Sequence, residues 1–195
     1  MRGSAALVLA DGVLVVDPVD VAGIDGELAA AGHVVGVATL LHRHQRDAER
    51  LAARLGVPRL TPRALGGAGL GLPGVEERVV IDRRGWHEAL LWLPDRRLLF
   101  CSETLGTAPF FLASPDDRLG MHPLARPLPP RGAFGGLDPA VMAFGHGPPL
   151  TEGCTEAMRD VLATARRALP RHWLRLLPAA VRASRAARRA RREAA

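Results

Sequence analysis

The chain has no lysine, no tyrosine and only two cysteines, Cys101 and Cys154, among its 195 residues. Two cysteines this far apart build no disulfide framework and no Cys-x-x-Cys zinc or redox motif. A reducing interior, and hence a cytoplasmic setting, is the expectation. No stretch approaches the ~20 uninterrupted apolar residues of a transmembrane helix. The first apolar run is broken by Asp11 and is too short for a secretory signal. No internal repeat occurs at the periods that mark solenoids.

What is present is an ordinary globular composition, 48% hydrophobic, with 26 basic residues that are all arginine. The net charge of +6 is unevenly placed. Eight arginines and a single glutamate lie in residues 170–195, so the body of the chain is close to neutral. Contact with nucleic acid or an anionic membrane would therefore run through the basic tail alone. No aromatic residue follows Trp173, so support for base stacking is missing there. The division expected is a domain over residues 1–169 and a basic helical extension over 170–195.

Two apolar runs flank Asp11-Gly12 in "SAALVLADGVLVVDPV", a strong hairpin signal. "GIDGELAAAG" reads as a short helix closed by Gly32, and "HVVGVATLL" as a buried strand. Ala48, Leu51, Ala52 and Leu55 fall at helical spacing, and Gly56 and Pro58 stop that helix. "VPRLTP" is a further short strand. This alternation indicates an α/β layered domain. "EERVVID", "HEALLWLP" and "RLLFCSE" are then consecutive antiparallel strands, the last two joined by a turn at 94–97. Residues 106–136 read as a long irregular loop of the kind that walls a site. "AVMAFGHG" is a last strand, and the helix that follows from Cys154 is expected to end at Pro170, with a second helical stretch from Trp173 to Arg192.

His42 and His44 lie just past one strand, Glu103 past another and His146, between two glycines, past a third. Side chains at strand ends converge on a common rim in α/β folds. Imidazoles and a carboxylate at such positions suit a zinc or iron ion with one coordination position open. His42 and His44 flank one residue, so they point the same way in an extended segment. Cys101 beside this rim reads either as a nucleophile or as a small core residue, the commoner role for a strand cysteine.

Four segments together resemble the metallo-β-lactamase superfamily over roughly residues 5–165. "DGVLVVDPV" is similar to its early strand pair ending in an Asp-containing turn. "VATLLHRHQRDAERLAARLGVPRLTP" is similar to its strand, His-x-His-x-Asp-His loop, helix and strand. "EALLWLPDRRLLFCSETLG" is similar to the hairpin that ends in Gly-Asp, and "VMAFGHGPPL" to the final strand with its terminal histidine. The resemblance implies a four-layer αββα sandwich with metal held along one edge. It places motif histidines on His42, His44 and His146, the metal-bridging carboxylate on Glu103 and the last motif histidine on Asp47. Arg46 stands where the family has an aspartate, Ser102 where it has a glycine, and Arg84 near the mid-chain histidine, with His87 three residues on.

An arginine beside a dication is repulsive, and the standard two-metal site needs more donors than His42, His44, Asp47, Glu103 and His146 supply. One zinc, iron or manganese ion at most is expected, with Asp47 as candidate base or ligand. Two readings stay open. One is a metal-dependent hydrolase of a small ester, thioester, lactone or phosphoester, a substrate class implied by the resemblance. The other is a metal-free protein that binds a ligand or acts as a scaffold, with Arg46 paired to Asp47 or Glu103 in place of the ion.

Overall fold

The computed structural model describes residues 3–44 and 47–193, with side chains through residue 177. Strands β1 (Ala5–Leu9) and β2 (Gly12–Val16) form the expected hairpin. Gly12 closes it at φ 139°, where an added Cβ would meet the His33 carbonyl oxygen at 2.4 Å. Helix α1 (Ile24–Ala31) leads to β3 (Val34–Ala38), which pairs parallel with β2. Helix α2 (Ala48–Leu55) leads to the short β4 (Arg59–Leu60), parallel to β3. These strands make one sheet, ordered β1-β2-β3-β4.

The second sheet starts from the antiparallel strands β5 (Glu76–Arg83), β6 (Trp86–Leu93) and β7 (Leu98–Cys101). It is completed by β10 (Val141–Phe144), which pairs parallel with β7. Strand alternation decides which core each side chain enters. Leu14 and Val16 of β2 and Leu91 and Leu93 of β6 meet between the sheets. Val13 and Val15 face α1 and α2 on one outside. Leu90 and Trp92 face the last helix on the other, against Met158, Val161 and Leu162. The result is an αββα layering.

Residues 106–136 are more ordered than the sequence predicts. A two-stranded ladder joins β8 (Leu105–Gly106) to β9 (Gly120–Met121), and α3 (Arg131–Phe134) follows. Elements of two to four residues are too short to leave a periodic signal. The ladder depends on glycine, because a Cβ on Gly120 would sit 2.1 Å from the Phe111 carbonyl oxygen.

The last helix also departs from expectation. α4 runs from Cys154 to Glu193, through Pro170 and across the predicted boundary at 169/170. Proline removes one helical hydrogen bond, but tertiary contacts beyond it hold the helix in place. His172 is fully buried. Its Nδ1 accepts a hydrogen bond from Arg126 Nε at 2.7 Å, and its Nε2 lies 2.8 Å from the Phe110 carbonyl oxygen. Arg175 donates to the carbonyls of Pro109 and Leu112. The helical stretch expected from Trp173 to Arg192 is thus the continuation of one helix. Its arginines from 182 onward, on which the expected partner contacts rest, lie outside the described side chains. Among the described residues no helix is long and apolar enough to cross a membrane.

Candidate metal centre

Two of the three parallel pairs, β2 with β3 and β7 with β10, end at the same edge of the sandwich, and the residues that follow them meet there. Asp17 follows β2 in a left-handed conformation, φ 47°. This turn buries its carboxylate completely. Oδ1 accepts the Leu40 amide at 3.0 Å, and Oδ2 accepts the Ser102 hydroxyl at 2.5 Å. The same Oδ2 lies 3.2 Å from His44 Nδ1. Asp17 thus links the segments that follow β2, β3 and β7.

The other nitrogen of His44, Nε2, is 3.0 Å from Glu103 Oε2. His146 Nε2 is 3.7 Å from the same oxygen. One donor atom each of His44, Glu103 and His146 lie within 4.8 Å of one another. His44 is nearly buried, while Glu103 and His146 keep 17% and 25% of their side chains exposed, so the cluster is open on one side. The glycines around His146 are required by contact. A Cβ on Gly145 would meet Ser102 O at 2.2 Å, and one on Gly147, at φ 98°, would meet Thr107 Oγ1 at 2.3 Å.

The donor set fits a divalent first-row ion: two imidazoles and one carboxylate, two of the three partly exposed to solvent. The surroundings of His44 test that fit. With its Nδ1–H given to Asp17, Nε2 presents a lone pair to a carboxylate oxygen at 3.0 Å. Two acceptors at this distance repel unless a proton or a cation lies between them. A carboxylate behind the ligating histidine is also the arrangement that fixes tautomer and ring orientation in metal sites.

Glu103 is aimed by a group that sequence reasoning missed. Glu88 is fully buried in β6. Its oxygens accept the Glu103 and Thr104 amides at 2.8 and 2.9 Å, Thr104 Oγ1 at 2.7 Å and Trp86 Nε1 at 2.8 Å. These four groups form one set of N–H and O–H donors around the carboxylate. Cys101 completes it with a thiol contact at 3.4 Å. Burial, followed by the Glu88 charge, pushes that thiol well above its ordinary range. Cys101 is therefore a protonated core residue rather than a nucleophile.

At Glu103 burial acts to raise the carboxyl, but contacts with His146 and His44 and the charges of His44 and His122 outweigh it. The carboxyl is held well below the usual range. His122, which carries no signal in the sequence, is 7% exposed, and its Nε2 is 3.6 Å from Glu103 Oε1. Burial pushes His122 down to about 4, against the Glu103 charge and with help from Arg43, His146 and His172.

The remaining predicted residues lie elsewhere. His42 turns to the start of β6, where its Nδ1 accepts the His87 amide at 3.1 Å and its own amide donates to His87 O. Asp47 precedes α2. Its Oδ2 accepts the Asp20 amide at 3.0 Å and its Oδ1 pairs with Arg50 at 3.0 Å. His87 is bound to Asp82 at 2.7 Å. Arg46 and its expected ion pair lie outside the described residues.

No family model and no curated protein matches the sequence. Solved structures do match its fold. It is similar to TMB-1, with a TM-score of 0.60 at 9% identity over 85% of each chain. It is also similar to a metallo-β-lactamase from Hirschia baltica, with a TM-score of 0.54 at 10% identity over 86% of this chain and 85% of that one. The chain has the metallo-β-lactamase fold. A third structure of this fold, an NDM_FIM-1-like metallo-β-lactamase from Erythrobacter litoralis in its mono-zinc form, aligns with a TM-score of 0.54 at 15% identity over 85% of each chain. Within this metallo-β-lactamase fold, β2 and β3 of one sheet and β7 and β10 of the other end beside the cluster.

Proposed function

We propose that the protein is a metal-dependent hydrolase that holds one ion, zinc before iron or manganese, between His44, Glu103 and His146. One observation carries this reading. His44 is clamped between Asp17 and Glu103 with its Nε2 directed at the oxygen that His146 also approaches. The similarity to metallo-β-lactamases, one of them in a mono-zinc form, supports it.

A bound ion would polarise a scissile carbonyl or phosphoryl group and acidify a water molecule. The chain's own residues prepare the place for it. With its Nδ1–H on Asp17, His44 would turn the Nε2 lone pair to the ion, and Ser102 fixes Asp17 in turn. Glu103 supplies negative charge, aimed by Glu88 through the Glu103 amide. Phe111 packs beside His146 with ring centroids 5.5 Å apart, giving the site an apolar wall. Small esters, thioesters, lactones and phosphoesters are the substrates this chemistry serves.

The competing reading is a metal-free binding protein. It is favoured by one observation: a proton on His44 Nε2 would also satisfy the contact between Asp17, His44 and Glu103. Metal analysis of protein purified without chelator separates the two. About one equivalent of tightly held metal, lost in both His44→Ala and His146→Ala, is expected of the hydrolase. Absence of metal that persists after zinc, iron or manganese is added would exclude it. Hydrolysis of a panel of the four substrate types, abolished by chelation and restored by metal, then identifies the class.

A further inference from the structure

We propose that His122 is locked as an Nε2–H donor facing Glu103 Oε1, a positioning residue that leaves only Oε2 for the ion and is not itself a ligand. The proposal deepens the metal-site reading and rests on it for the ion, while the locked ring stands on geometry alone.

The lock begins at the other nitrogen. The Leu124 amide donates to His122 Nδ1 at 3.2 Å. A backbone N–H can only donate, so Nδ1 must carry the lone pair. The proton of the neutral ring is then on Nε2, 3.6 Å from Glu103 Oε1. That distance makes a dipole–charge contact rather than a closed hydrogen bond, and its direction is still fixed. To ligate through Nε2, the neutral ring would have to move its proton to Nδ1 and set it against the Leu124 N–H.

The surroundings oppose such a rearrangement. Arg83 Nη2 holds the Leu124 carbonyl at 3.2 Å, and the Ala125 amide returns to His122 O at 2.9 Å. The His122 amide is bound to Thr104 O at 2.9 Å. Trp86, Phe110 and Phe111 meet the imidazole with ring centroids 4.7, 5.2 and 6.0 Å away. The ring is caged and its peptide neighbours are pinned.

The consequence falls on Glu103, whose two oxygens are divided. Oε2 faces His44 and His146, and Oε1 faces an N–H dipole. The carboxylate therefore offers one oxygen to one ion. A second ion on the Oε1 side would meet a donor hydrogen instead of a lone pair.

Two measurements on the full chain test this. Heteronuclear NMR of the imidazole nitrogens, on chelator-treated protein, should show His122 as the Nε2–H tautomer. That pattern should persist when zinc is added, while His44 and His146 respond. Zinc titration against a chromophoric chelator should saturate near one equivalent. His122→Phe, which keeps a ring but no N–H, should weaken zinc by about 10–100-fold, the usual effect of losing a group that orients a ligand. His122→Gln, which retains an N–H donor, should recover most of that loss.

An Nδ1–H tautomer, zinc-induced loss of the Nε2 proton, or wild-type affinity in a folded His122→Phe each overturns the proposal. A wild-type protein that takes up no metal sinks the hydrolase reading and the ion-related part of this one. The tautomer then decides separately whether the ring is locked. If His122→Phe fails to fold, the His122→Gln titration and the wild-type tautomer decide the matter.

Discussion

His44 and Glu103 face each other with Nε2 and Oε2 3.0 Å apart, while Asp17 holds the opposite nitrogen of His44 at 3.2 Å. One imidazole thus lies between two carboxylates, and only one of them is partly open to solvent. Asp17→Asn tests what the buried partner does. Asparagine tolerates the left-handed backbone at this position and keeps an acceptor for the Leu40 amide. The expected outcome is a folded protein whose zinc affinity falls about 10–100-fold, read by chelator competition alongside a circular dichroism melt. Unchanged affinity would show that Asp17 serves only the turn.

Glu88→Gln removes a charge that four N–H and O–H donors address. The new amide can accept at one oxygen and turns donors toward donors at the other end. Leaving even one buried donor unpaired costs about 1–3 kcal/mol. Denaturant unfolding should show that loss, and zinc binding should weaken with it because the Glu103 amide loses its anchor. Wild-type stability would mean that the network relaxes around the substitution.

Much of this arrangement was legible in the sequence, because strand alternation and strand ends are local features. Leu14 and Val16 against Val13 and Val15 already separate two cores. His44, Glu103 and His146 each follow a strong apolar run. The orientation of His42 was not legible. It follows from the bridge between Leu41 and Glu88, which sets the loop after β3 against β6. Glu88 left a signal that went unused: a lone charge inside "HEALLWLP" should have a buried partner. His122 left none, since its role depends on a two-residue ladder and on a hydrogen bond from Leu124. The passage of α4 through Pro170 depends on His172 and Arg175 meeting residues 109–126, contacts that no local pattern encodes.

Asp47 and His42 provide a control on the assignment. Asp47 is occupied by the Asp20 amide and Arg50, and His42 by the His87 amide. Asp47→Ala and His42→Ala should keep about one equivalent of zinc. The partly exposed Asp47–Arg50 pair should contribute no more than about 1 kcal/mol. Loss of metal from either variant in a folded state, measured by metal analysis after gel filtration, would bring that residue into the site.

Acid should destabilise the metal-free protein before its carboxylates titrate. His122 is pushed from its ordinary 6.5 to about 4 by burial, and burial is also the leading cause that lowers His172. A histidine lowered on folding binds its proton in the unfolded chain first. Stability is therefore fully present above pH 6.5 and declines as the pH falls toward the folded value, by up to about 1.4 kcal/mol per pH unit for each histidine. The lowered Glu103 carboxyl acts in a different window. Its contribution is present above its ordinary 4.5 and is lost only below that value. Between 6.5 and 4.5 the slope should therefore report the histidines. Urea midpoints across that range should fall in chelator-treated wild type, with constant m, and should fall less steeply in His122→Phe. A flat profile would mean that both rings take up protons in the folded state as readily as in the unfolded chain.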